Sequence, residues 1–102
     1  MAQVISSAQF QEKVLDADKP VMVDFFATWC GPCQALASTV EEVAEDMGDS
    51  AYVYKVDVDQ SPDIARAYRI MSVPTILVFE NGAVKNQSLG AQPKSALLAL
   101  FD

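Results

Sequence analysis

Apolar residues recur along this chain with two different periods, and these periods predict strands that alternate with helices. From Val21 to Ala27 both odd and even positions are apolar apart from Asp24, which is typical of a strand covered on both faces. From Cys33 to Met47 the apolar residues follow helical spacing, with the acidic residues largely on the other face. The pattern predicts a short extended start, helices over 7–16, 33–47, 62–68 and after Pro93, and strands over 21–27, 52–58, 75–80 and 83–88.

The order of these elements predicts an α/β fold. Strands and helices alternate first, and Asn81-Gly82, a typical two-residue hairpin sequence, joins the last two strands. Such an order gives a mixed sheet with helices on both faces. The chain has 102 residues without an internal repeat or a linker, so we predict one domain over 1–102.

Composition and charge exclude several classes of function. The net charge of −7 repels phosphate backbones and anionic lipids, so we predict neither a nucleic-acid nor a membrane partner. The first twenty residues lack a basic start followed by an apolar stretch, which leads us to expect a cytoplasmic protein. The chain contains no histidine, which excludes the commonest general base, the Ser–His and Cys–His nucleophile systems and most mixed zinc sites.

Cys30 and Cys33 lie where the strand ending near Ala27 gives way to the long helix. The first turn of a helix presents free N–H groups and the positive end of the helix dipole, which favour a thiolate at Cys30. Cys33 lies one turn further, in line with the apolar face, so we expect it to be buried while Cys30 remains accessible. The spacing of three brings the two Cα atoms within disulfide range, and Pro32 is compatible with a first helical turn. The pair therefore suits an attacking thiol and a resolving thiol.

Three other interpretations of the pair stay open. One is a structural disulfide, although so short a loop constrains the unfolded chain very little. Another is a metal site, which needs about four ligands and would here have to be shared between subunits. The third is two unrelated buried cysteines. Redox chemistry is favoured over all three because the Cys-x-x-Cys pair falls within a β-α-β arrangement.

Asp24 is a carboxylate within an apolar strand, and it lies either at a solvated edge or in the interior. Because this strand leads into the long helix, a central position is favoured. Burial there would raise the pKa of the carboxyl group, which could then exchange a proton near neutral pH. Lys55 on the next strand is either its charge partner or a solvated residue. Trp29 is either part of the core or a flat apolar surface for a protein partner.

Several segments together resemble the thioredoxin family. They cover essentially the whole chain in order: Val23-Asp24-Phe25, Trp29-Cys30-Gly31-Pro32-Cys33, Val73-Pro74-Thr75, Asn81-Gly82 and Leu89-Gly90-Ala91. The resemblance implies a thioredoxin fold, in which a central mixed five-stranded sheet is flanked by four helices. It also implies that Pro74 is cis and faces the cysteines.

The resemblance further implies a role for each site residue. Cys30 would be the nucleophile and would form a redox-active disulfide with Cys33. Asp24 would be the buried proton acceptor behind Cys33, with Lys55 beside it. The backbone of Val73 would pair with an extended segment of the substrate. An apolar surface that we call the docking rim would consist of Trp29, Gly31, Pro32, Val73, Pro74, Gly90 and Ala91.

The activity implied by the resemblance is the reduction of disulfides in target proteins by a monomeric thiol–disulfide oxidoreductase without a bound cofactor or metal. Since the chain has no Gly-rich dinucleotide motif, a separate thioredoxin reductase that uses NADPH and FAD would re-reduce the pair. Gly-Pro between the cysteines is similar to the reducing members of the superfamily. The alternative from another class is a non-catalytic interaction module that uses the same docking rim. An oxidase would need a compartment that permits disulfides.

The sequence departs from the usual family pattern at three positions. Phe26 stands where many members have tryptophan, and Gln34 stands where a lysine frequently follows the second cysteine. Ser38 occupies the position of a helix-kinking proline, so the long helix is expected to be straighter. These departures bear on the redox potential and on the choice of partner.

Overall fold

Five strands form one mixed sheet in the computed structural model, which describes residues 2–102. The strands are β1 Gln3–Val4, β2 Val21–Phe26, β3 Tyr52–Asp57, β4 Thr75–Glu80 and β5 Ala83–Leu89. The helices are α1 Ser7–Phe10, α2 Gly31–Met47, α3 Pro62–Ala67 and α4 Lys94–Ala99. The strand order is β1-β3-β2-β4-β5, with β3 parallel to β1 and β2, and β4 antiparallel to β2 and β5. The predicted α/β fold with a mixed five-stranded sheet and four helices is confirmed.

Strand β2 lies in the middle of the sheet and supplies apolar side chains to both faces. Val21, Val23 and Phe25 join one core together with Phe10 and Phe79. Met22 points to the other face, where it packs with residues of α2, β4 and α4. Alternate residues of a strand point to opposite faces, so both core layers draw on the same short segment. This explains why the segment is apolar at odd and even positions alike.

Helix α2 begins directly after β2 and packs against the sheet through one apolar face. Its buried residues are Cys33, Leu36, Val40 and Val43. The spacing of three and four residues places them on one side of the helix, as the sequence pattern predicted. Cys33 is thus held by the same face that anchors the helix.

The helix predicted over 7–16 is divided in the structure. Only α1 is α-helical, and a π-helical turn over Gln11–Leu15 continues it. In that turn the N–H of Asp16 donates to the carbonyl of Gln11 five residues earlier. Phe10 and Val14 are both buried, as their spacing predicted. The hydrophobic pattern therefore identified the buried face, although not the wider turn that presents it.

The hairpin between β4 and β5 turns at Asn81 and Gly82, as predicted. Both residues have positive φ, 53° for Asn81 and 80° for Gly82, as a two-residue hairpin turn of this type requires. A Cβ atom at position 82 would approach the carbonyl oxygen of Leu15 to 3.1 Å. The glycine therefore also permits close contact between the hairpin and the turn after α1.

Arg69, just after α3, adopts a positive φ of 54° that side-chain-bearing residues rarely tolerate. The N–H of the following residue, Ile70, donates to the carbonyl of Ala65, which closes the end of the helix. Arg69 is exposed, and its guanidinium takes part in none of the ion pairs formed among residues 2–102. Its backbone conformation therefore serves the helix end rather than the side chain.

We expect Arg69→Gly to raise the free energy of unfolding by about 0.5–1 kcal/mol. The left-handed conformation costs an L-residue about 1–2 kcal/mol, whereas glycine loses about 0.5–1 kcal/mol more in backbone entropy on folding. Denaturant titration of the variant and the parent protein measures the difference. Arg69→Ala is the matched control, since it removes the side chain but keeps the strain. An equal rise in the free energy of unfolding of both variants would show that the Arg69 side chain, and not its backbone conformation, destabilises the fold.

Candidate active site

The two cysteines lie at the start of α2 and are joined by a disulfide bond. Cys30 is the N-cap residue, and its Sγ accepts a hydrogen bond from the N–H of Cys33 at 3.1 Å. The two Cα atoms are 5.2 Å apart. Gly31 and Pro32 form the exposed first turn, where proline removes no needed donor. The predicted placement of the pair at a strand–helix junction is confirmed.

The expected difference in exposure between the two cysteines is absent in this disulfide-bonded form. Cys30 is 4% exposed and Cys33 is 5% exposed, so the prediction of an accessible Cys30 is wrong here. Both side chains lie in one apolar cluster with Ala27, against which Phe26 and Val73 pack. In this disulfide-bonded form both sulfurs therefore lie within the cluster, away from solvent.

Two hydrogen bonds hold the segment before Cys30. The N–H of Cys30 donates to the carbonyl of Ala27 at 3.2 Å. The Gln34 side-chain amide donates to the carbonyl of Thr28 at 3.1 Å. These contacts join the loop after β2 to the first turns of α2, so they limit movement of Cys30.

Trp29 is a surface residue, which decides between its two interpretations. Its side chain is 71% exposed, and its indole N–H donates to a carboxylate oxygen of Asp59 at 2.9 Å. A large aromatic ring fixed at the surface by its polar edge leaves an apolar face free for a partner. Asp59 could not be predicted from the sequence, because a carboxylate in an acidic chain does not indicate an indole partner thirty residues away.

The loop that leads into β4 forms the other side of the site. The Val73–Pro74 peptide bond is cis, and the Val73 carbonyl oxygen lies 3.7 Å from Cys30 Sγ. The N–H of Gly90 donates to the Pro74 carbonyl at 2.9 Å, which brings the end of β5 and the exposed Ala91 to the same place. The predicted members of the docking rim thus come from three separate segments that meet around the disulfide.

Asp24 is fully buried on the face of the sheet that α2 covers. It follows Met22 by two residues and therefore points to the same side. Neither carboxylate oxygen has a hydrogen-bond partner among the described residues. Burial raises the pKa of Asp24 from 3.8 to about 6, and the positive charge of Lys55 opposes part of that rise. The interior position favoured from sequence is confirmed.

Lys55 lies beside Asp24, since the two residues are register partners on β3 and β2. It is half-buried, and its ammonium group lies 4.6 Å from the centroid of the Phe26 ring. No ion pair within 4.0 Å joins it to Asp24 in the described chain. The positive charge of Lys55 thus lowers the pKa of Asp24 by electrostatic attraction without a direct ion pair. The Phe26 ring in turn stabilises the Lys55 cation.

A search of residues 2–102 finds no group of three or more potential metal ligands. No helix in that same range is long and apolar enough to cross a membrane.

Comparisons with known proteins agree with this geometry. The family model described as thioredoxin matches residues 1–102. The chain is 47% identical over 98 residues to a thioredoxin of Griffithsia pacifica, covering 96% of this chain and 89% of that protein. It is 43% identical over 94 residues to a bifunctional thioredoxin reductase/thioredoxin of Mycobacterium leprae, covering 92% of this chain and 20% of the relative.

A solved structure supports the same assignment at the level of the fold. The crystal structure of chloroplastic thioredoxin z superimposes with a TM-score of 0.87 and 37% sequence identity, covering 98% of this chain and 90% of the other. The family match extends over the entire sequence and includes the cysteine pair at the start of α2. This chain belongs to the thioredoxin family and is a thiol–disulfide oxidoreductase.

Proposed function

We propose that this oxidoreductase reduces disulfides in target proteins, with Cys30 as the nucleophile and Cys33 as the resolving thiol. The observation that carries the proposal is the hydrogen bond from the Cys33 N–H to Cys30 Sγ at the N-cap of α2. A backbone N–H and the positive end of a helix dipole both stabilise negative charge on a sulfur at that position. In the reduced protein the first thiolate therefore forms at Cys30.

The first step is attack of the Cys30 thiolate on one sulfur of the target disulfide. A new bond forms between Cys30 Sγ and that sulfur, while the target S–S bond breaks and its other sulfur leaves as a thiolate. The product is a mixed disulfide between the two proteins. The leaving thiolate then takes up a proton.

The second step releases the target and regenerates the bond seen in the structure. The Cys33 thiol transfers its proton to the carboxylate of Asp24, and the resulting thiolate attacks Cys30 Sγ. The mixed disulfide breaks, and the second target sulfur departs as a thiolate. The target has then gained two electrons and Cys30–Cys33 has lost them. A carboxyl group with a pKa of about 6 is largely ionised at neutral pH, yet close enough in pKa to accept a proton.

Target proteins dock on the exposed members of the docking rim. The Trp29 ring supplies a fixed apolar surface on one side of the cysteines. On the other side, the Val73 backbone makes no backbone hydrogen bond within residues 2–102. An extended target segment can pair with Val73 as an added strand, which would hold its disulfide against Cys30.

The oxidised pair is returned to the dithiol by a thioredoxin reductase that draws electrons from NADPH through FAD. The fusion of a thioredoxin reductase with a thioredoxin in Mycobacterium leprae supports this pairing of activities. We further propose that the protein acts as a monomer in the cytoplasm. A dithiol must be kept reduced to act as a reductant, and the cytosol maintains thiols in that state.

The Cys33→Ser variant should accumulate covalent adducts with target proteins. Without the resolving thiol, the mixed disulfide on Cys30 persists, and insulin-reduction turnover should fall roughly 100-fold or more. Non-reducing gel electrophoresis followed by dithiothreitol treatment detects the adducts. The control is Cys30→Ser, which should form none. Equal insulin reduction by Cys30→Ser and the parent protein would contradict the enzymatic role and favour an interaction module.

The Asp24→Asn variant should remove a pH dependence of folding stability. The folded pKa of about 6 exceeds the ordinary value of 3.8, so the folded state retains a proton that the unfolded chain has lost. Stability therefore falls as the pH rises between these two values. At pH 8 the buried charge costs about 3 kcal/mol, since each pKa unit corresponds to about 1.4 kcal/mol.

Denaturant unfolding of the oxidised proteins at pH 4 and pH 8 tests this expectation. At each pH, the free energy of unfolding of the variant is compared with that of the parent protein. The advantage of the variant should be about 2–3 kcal/mol larger at pH 8 than at pH 4. The double difference removes any packing effect common to both pH values. A gain independent of pH would show that Asp24 does not titrate in this range and does not serve as the proton acceptor.

A further inference from the structure

Met71 is the most exposed large apolar side chain among residues 2–102. Its side chain is 92% exposed, more than Trp29 or any of the three other exposed large apolar residues. It lies in the loop between α3 and β4, two residues before Val73. Such exposure adds nothing to the core, so the position of this thioether is explained by neither packing nor folding.

The side chain lies at the edge of the reactive site. A groove of about 180 Å³ is lined by Trp29, Val58, Ile70, Met71, Ser72 and Val73. The carbonyl oxygen of Val73, one of these lining residues, is 3.7 Å from Cys30 Sγ. The groove is continuous with the docking rim through Trp29 and Val73. A change in polarity at Met71 would therefore be felt where targets bind.

The other two methionines that the structure describes are less exposed. Met22 is 0% exposed in the centre of the sheet, and Met47 is half-buried at the end of α2. In the disulfide-bonded protein neither cysteine offers a thiolate to an oxidant. The accessible oxidisable sulfur of this surface is then that of Met71.

We propose that Met71 is a site of modification by peroxides, and that its sulfoxide weakens the docking of target proteins. This inference rests on the proposed function. The Met71 sulfur attacks one oxygen of hydrogen peroxide, so that an S–O bond forms, the O–O bond breaks and water leaves. The sulfur loses two electrons and the peroxide gains them. The product is a polar sulfoxide, which methionine sulfoxide reductases return to the thioether.

The effect follows from placing a polar group in an apolar groove. When a target covers the groove, the sulfoxide oxygen loses water and gains at most one side-chain donor, the Ser72 hydroxyl, because the Trp29 N–H is bonded to Asp59. We expect kcat/KM for a protein disulfide to fall about tenfold, which corresponds to about 1.4 kcal/mol. A small-molecule disulfide does not cover the groove, so its rate of reduction should change less than twofold. Chemistry at Cys30 would be intact while docking is impaired.

The experiment begins with the oxidised full-length protein. It is treated with hydrogen peroxide, the peroxide is removed with catalase, and peptide mass spectrometry measures sulfoxide at Met71, Met22 and Met47. The protein is then reduced, and kcat/KM is measured for insulin and for a small aromatic disulfide. Each variant is compared with its own untreated sample. After treatment, kcat/KM of the wild type toward insulin should fall about tenfold. Incubation with methionine sulfoxide reductases and dithiothreitol should restore it.

Two variants locate the effect at this sulfur. Met71→Leu has no thioether, so its treated and untreated samples should have equal kcat/KM toward insulin. Met47→Leu keeps the groove sulfur and should lose activity as the wild type does. Two results would overturn this inference but leave the proposed function intact. One is an equal fall in kcat/KM toward insulin in treated Met71→Leu. The other is sulfoxide at Met71 in the wild type without a fall in kcat/KM. Untreated wild type that reduces neither substrate would overturn the proposed function and the inference with it.

Discussion

The hydrogen bond from the Cys33 N–H to Cys30 Sγ depends on where α2 begins, and much of the molecule is arranged around that position. The helix must start at Gly31, one short loop after β2, for Cys30 to occupy the N-cap. Its apolar face holds this start in place because Leu36, Val40 and Val43 pack against the sheet. The reactivity of one sulfur therefore depends on a core that lies up to three turns away from it.

Asp24 shows that this core also contains an element that opposes folding. A fully buried carboxylate without hydrogen-bond partners destabilises the native state when it is ionised. The surrounding apolar strand offsets that effect, and Lys55 reduces it through space. The same burial raises the pKa of its carboxyl group, on which its part in the proposed second step depends. The property that suits Asp24 to the proposed proton transfer is therefore the one that destabilises the fold.

The architecture and the reactive pair could be predicted from the sequence because they depend on local patterns. The β2 run, the helical spacing after Cys33 and the Asn81-Gly82 turn each have one strongly preferred structure. The π-helical turn after α1 has no such pattern, since its hydrophobic spacing is that of an α-helix. The hydrogen bond between Trp29 and Asp59 could not be predicted either, because it depends on the register of two strands. The burial of Cys30 depends on packing against Ala27 and Val73, and Val73 lies far away in the sequence.

The site is assembled from segments near residues 30, 59, 73 and 90, and this has a consequence for biosynthesis. The two cysteines leave the ribosome well before Gly90, whose N–H holds the Pro74 carbonyl. Strand β2 can pair on both sides only after β3 and β4, its two neighbours in the sheet, have been synthesised. A nascent chain thus carries the dithiol motif before it has a complete docking rim. The rim is assembled only once the closing hairpin has paired.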